Sequence, residues 1–178
     1  MGKLDFMKSV VLLFAGYVLC LGLAHARLGE TEAELVARFG PAPKFRPPFQ
    51  IGVQGHVVKI GEVLGFSSGD WSISCTMING VCEQIKYSKG GNITGDQMTE
   101  LLKNESQGQA WTENTNWTTF ADHILMAHAN VHQWTRADGV IATGSIWEMK
   151  FTTPAYDKAV DAAKAKGNSD AQKMPSNL

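Results

Sequence analysis

Three histidines, His123, His128 and His132, lie close together in the chain with Asp122 beside them. Imidazole and carboxylate are the usual nitrogen and oxygen ligands of a zinc-type metal ion. On a helix His128 and His132 stand one turn apart, a spacing that suits a metal, and His123 falls on a different face. On a strand His128 and His132 share a face two repeats apart. The alternative is three histidines facing solvent. Arg136 and Asp138 can pair across a turn, which is more often a structural use than a catalytic one. Ser67-Ser68-Gly69-Asp70 can be drawn as a site, but a plain turn accounts for it. The chain has no Gly-rich phosphate loop, no nucleophile elbow and no HExxH motif. The expectation is therefore no cofactor and no catalytic constellation.

Cys75 and Cys82 complete the inventory, and their meaning depends on the element that holds them. Trp71, Ile73, Cys75 and Met77 alternate with Ser72, Ser74 and Thr76, the pattern of a half-buried strand. Asn79-Gly80 follows, and both residues tolerate positive φ, so a two-residue turn is favoured. That turn pairs Met77 with Cys82 and sets Gln84, Lys86 and Ser88 on the face of Trp71 and Ile73, the wrong face to bury. A bulge near Glu83-Gln84 would return Ile85 and Tyr87 to the inside. A three-residue turn over Ile78-Asn79-Gly80 is the other repair. Asn-Gly is the stronger short-range signal, so the bulge is preferred.

In the preferred register Cys75 lies diagonally from Cys82, at a Cβ separation of about 7–8 Å. A disulfide needs roughly 3.5–4.5 Å. Twist or the bulge closes part of the gap. In the three-residue register the side chains point to opposite faces and cannot bridge. A disulfide between Cys75 and Cys82 and a pair of small buried thiols both stay open.

Residues 1–26 read as a secretory signal peptide, with Lys3 and Lys8 ahead of the apolar run Val10–Leu23 and Ala24-His25-Ala26 before a cut at Arg27. The run is shorter than the roughly 20 residues of a spanning helix, so cleavage is expected, with no stable membrane anchor afterwards. A secreted or periplasmic location follows. The formal net charge is −1, which gives no argument for nucleic acid. Residues 27–166 are long enough for one domain with a real core, and 167–178 read as a polar, disordered tail.

Within the domain, Thr31 and Glu34 form a capping box for a helix over 31–39, ended by Gly40-Pro41. Prolines make 41–49 an extended connector. Strands are expected at 56–66, 71–78 and 81–88, a three-stranded meander. Thr94 and Gln97 open a second helix over 95–105, after which Trp111 returns to the sheet. The pattern over 114–130 fits either a helix or a loop. Asp138-Gly139 marks a second hairpin whose outgoing strand runs to about Phe151. Thr153-Pro154 starts a third helix through about Lys166. Trp71, Trp111, Trp117, Trp134 and Trp147 are expected mostly in the core. Helices and strands come in separate runs, so the fold class is α+β, an antiparallel sheet with two or three short helices.

The run L-G-E-T-E-A-E-L-V-A-R-F-G-P, followed by W-S-I-S-C-T-M-I-N-G-V-C-E-Q-I-K-Y-S, resembles small uncharacterised secreted bacterial proteins. The pieces L-L-K-N-E-S-Q-G-Q-A-W and W-T-R-A-D-G-V-I-A extend that resemblance over most of the chain after the leader. The first half is also similar to the BamE-like modules found in beta-lactamase inhibitor protein, a capped helix ending in Gly-Pro before an antiparallel sheet. BamE-like lipoproteins carry an anchoring cysteine just after the leader, and this chain has none there. The resemblance carries over no functional residue. Two function classes follow. One is a non-catalytic module that binds a protein or envelope polymer through its sheet. The other is a small metal-binding protein or enzyme using His123, His128 and His132.

Overall fold

The computed structural model describes residues 27–41, 44–114 and 131–172. The expected leader and most of the histidine segment lie outside them. Helix α1, Glu32–Phe39, begins with the reciprocal capping box: the Thr31 side chain accepts from Glu34 N, and the Glu34 carboxylate accepts from Thr31 N at 2.8 Å. Four strands follow as hairpins: β1 (Pro48–Val53), β2 (His56–Ser68), β3 (Trp71–Ile78) and β4 (Val81–Lys89). Helix α2, Gly95–Asn104, has a second capping box on Thr94 and Gln97. Then come β5 (Trp111–Glu113), β6 (His132–Arg136), β7 (Ile141–Gly144), β8 (Glu148–Thr152) and α3 (Pro154–Gln172). The eight strands make one antiparallel sheet in the order β1-β2-β3-β4-β8-β7-β6-β5.

The β3–β4 hairpin resolves the register question. Asn79 and Gly80 take φ of 52° and 83°, and Ile78 pairs with Val81. Met77 pairs with Cys82, but Thr76 pairs with Gln84, so Glu83 is the extra residue of a bulge. The bulge turns Ile85 and Tyr87 inward beside Cys82, and all three are buried. It also serves the next element. Glu83 O accepts from Thr153 N at 3.0 Å, its carboxylate accepts from the Thr153 hydroxyl, and Thr153 Oγ1 caps α3 through Tyr156 N.

Four expectations are corrected. The connector read over 41–49 ends in a strand, β1, whose first residue Pro48 sits on an edge where no ladder donor is needed. Gln54 and Gly55, both at positive φ, turn it into β2, so the first meander has four strands. The single strand expected to reach Phe151 is two, because Ser145 Oγ accepts from Trp147 N and Glu148 N and folds the chain back. The tail expected to be disordered from 167 stays helical to Gln172. Gly167 is buried there, and a Cβ on it would stand 2.6 Å from Val53 Cβ, so glycine lets α3 lie close on β1. The tryptophans are less buried than expected: Trp71, Trp111 and Trp134 are half-buried against the core, Trp147 is 50% exposed, and Trp117 lies outside the described residues.

One sheet face carries Leu64, Phe66, Ile73, Cys75, Cys82, Ile85, Tyr87, Met149 and Phe151, closed by Leu35 of α1 and by Met98 and Leu101 of α2. Side chains alternate across a strand, so Gln84, Lys86 and Lys150 stand on the other face. There α3 packs over β1, β2 and the end of β4, with Tyr156 against Phe49 at 5.5 Å between ring centres. Among the described residues no helix is long and apolar enough to cross a membrane.

The plan is stated twice: a capped helix and a four-stranded meander, then the same again. The strands that join the halves carry matching runs, Gln84-Ile85-Lys86-Tyr87-Ser88 and Glu148-Met149-Lys150-Phe151-Thr152. Their ladder is centred on the pair Lys86 and Lys150. An approximate twofold axis therefore passes between these two lysines.

Candidate functional site

Of the histidine candidates, only His132 lies among the described residues; His123 and His128 do not. His132 is on β6, with Nδ1 3.0 Å from Glu113 Oε1 and its ring stacked on Trp134 at 5.6 Å. Among the described residues no three His, Cys, Asp or Glu side chains converge as a metal site. Arg136 and Asp138 do meet, at 2.7 Å, and the bond to Arg136 holds the Asp138 carboxyl below its usual range. Arg136 lies over Trp111 and also donates to the main-chain oxygen of Glu105, so the pair closes a turn onto the end of α2. Ser67 and Ser68 end β2, Ser68 pairing with Trp71, and Gly69-Asp70 makes the turn, with Asp70 3.3 Å from Lys89.

The buried polar cluster was not anticipated. Glu105, the residue after α2, is fully buried. Its carboxylate accepts from Tyr87 OH at 3.1 Å and from Leu28 N at 3.4 Å, both uncharged donors. Burial is the main cause that pushes its pKa up to about 7, and these two bonds oppose it. Burial and the neighbouring Glu105 charge raise Tyr87 well above its usual value. In sequence Glu105 was only the polar end of a helix; no motif marks it. Its complete burial suits a structural group better than a general acid.

Cys75 and Cys82 are free thiols in the same core, and both are buried. Cys82 Sγ donates to Gln84 O at 3.4 Å. The adjoining Cys75 thiol and burial raise Cys82 well above a usual thiol, which disfavours the nucleophilic thiolate. The two-residue turn excludes the register in which the cysteines face apart. Native protein treated with iodoacetamide is expected to take up no label, and unfolded, unreduced protein two. A third label would report Cys20 of a retained leader. A mass two hydrogens lighter, with neither thiol labelled, would show a bridge instead.

No family model, curated protein or solved structure matched the chain. Across the helix-free part of the second face runs one row of paired residues: Gly65, Ser74, Lys86, Lys150, Thr143 and Gln133. Lys86 and Lys150 are direct cross-strand neighbours. Like charges so placed repel, and the nearest relief is Glu148, 3.9 Å from Lys86, with both side chains nearly half exposed. The row carries hydroxyl, amide and ammonium groups, and it can offer hydrogen bonds and positive charge.

Proposed function

We propose that the protein is an exported, non-catalytic binding module that takes a protein or envelope polymer on the second face of its sheet, over β4, β8, β7 and β6. The observation that supports this is the opposed pair Lys86 and Lys150 at the centre of that face, which α3 leaves uncovered among the described residues. Two ammonium groups held side by side on a rigid sheet favour a partner that presents acidic groups between them. The resemblance of the first half to BamE-like modules is in keeping with a binding role. Export is part of the same reading and rests on the leader.

The test is capture of a partner from the envelope fraction of the source organism, followed by titration with the purified partner. The double variant Lys86→Glu, Lys150→Glu is expected to bind about tenfold more weakly or worse. Lys59→Glu, an exposed change on the other face of β2, should bind normally. Equal losses in both variants, or none in either, would remove the sheet face from the proposal. Binding of the unaltered protein should also weaken with added salt.

A further inference from the structure

The segment Arg27–Thr31 is strapped to the body of the protein. Leu28 is buried in the core. Gly29 N donates to Cys82 O and Cys82 N to Glu30 O, both at 2.8 Å, and Gln107 Nε2 donates to Leu28 O at 3.2 Å. At the head of this strap Arg27 N lies 3.1 Å from Glu30 Oε2. The other oxygen of that carboxylate is already taken by Arg38 of α1, and the Glu30 side chain is only 12% exposed. One residue on, Leu28 N donates to the buried Glu105.

We infer that removal of the leader after Ala26 creates a structural cation: the new α-ammonium of Arg27 pairs with Glu30 and locks the strap onto the fold. In the longer chain the same nitrogen is a neutral amide that can donate one hydrogen bond. As an α-ammonium it carries a full charge and three donors beside a shielded carboxylate. The amide's bond to the Glu30 carboxylate is already charge-assisted; the ammonium adds the Coulomb attraction of an ion pair beside that shielded group. The groups that face it are Glu30 on the strap, Arg38 on α1, Glu105 after α2, and Tyr87 and Cys82 on β4. The two carboxylates favour the ammonium and Arg38 opposes it. This inference rests on the export reading above.

Two proteins of equal net charge make the test: one released from a cleavable fusion to begin at Arg27, the other carrying Gly-Ser before Arg27. The extension moves the ammonium away and restores the amide. At pH 7 the Arg27 form is expected to melt about 2–4 °C higher. Its advantage should fade at high pH, as the amine loses its proton and with it the charge that pairs with Glu30. The difference should vanish when both proteins carry Glu30→Gln. Equal melting, or a difference that survives Glu30→Gln, overturns the inference. N-terminal sequencing of exported protein is a separate arm. A start other than Arg27 would show that this cation is not the product of processing, whatever the melting data say.

Discussion

Raising the pH from 5 to 8 is expected to lower folding stability by about 2–3 kcal/mol through Glu105 alone. The folded carboxyl titrates near 7 and the unfolded one near its ordinary value of 4.5. Below pH 4.5 both states hold the proton, and the group makes no difference. Between 4.5 and 7 the unfolded chain has lost it while the folded protein keeps it. The folded state then binds more protons, so stability falls as pH rises. Above 7 both are ionised and the loss levels off. Desolvation is the largest cause, because no cation bonds the carboxylate directly; Arg136 spends its bond on the main-chain oxygen. Glu105→Gln keeps the volume and removes the titration. Urea unfolding at pH 5, 6.5 and 8 should show a falling midpoint in the unaltered protein and a nearly flat one in Glu105→Gln. The same slope in both proteins would place the titration elsewhere.

Gly61→Ala is expected to cost about 3 kcal/mol or more, the largest loss for a single added methyl group. The backbone of Gly61 has no special φ; its problem is space. A Cβ there would stand 2.0 Å from the main-chain oxygen of Met77 and 3.4 Å from Ile78 Cγ1. A flexible side chain could move aside, but this oxygen belongs to the backbone of β3 and is held by the β2–β3 pairing. The strand would have to shift at the irregularity between Phe49 and Gln50, where β1 and β2 already slip register. Gly65→Ala on the same strand meets nothing within 4 Å and should change stability by no more than about 0.5 kcal/mol. Thermal unfolding of the two variants separates a steric cause from a general intolerance of alanine in β2. Similar melting would overturn the steric account.

Local signals in this chain carried far. The two capping boxes, Asn79-Gly80 and the bulge at Glu83 were all readable, because each follows from adjacent residues and from the need to bury Ile85 and Tyr87. What escaped depends on partners distant in sequence. β1 looked like a proline connector because its ladder exists only once β2 has folded back on it. Gly167 looked like a helix end because Val53, which explains it, lies 114 positions earlier in the chain. Glu105 gave no signal, since its burial is made by Tyr87, Leu28 and Arg136 together. One missed feature was legible: the matched runs around Lys86 and Lys150, which announce the doubled plan.

The strand order also dictates a sequence of events while the chain is being made. β1 to β4 are successive hairpins, and each can pair as soon as its neighbour has emerged. β4 then waits with one side unpaired, because its partner β8 is the last strand among the described residues and β5 is laid down at the far edge first. Throughout that interval the nascent first half presents Gln84 to Ser88 as an open edge, the kind of template that captures a strand from another chain. The natural rival is another copy's β4, since β8 itself resembles β4. Chains emerging close together would therefore favour exchange of this edge between copies, and well-spaced emergence would favour pairing of β4 with its own β8.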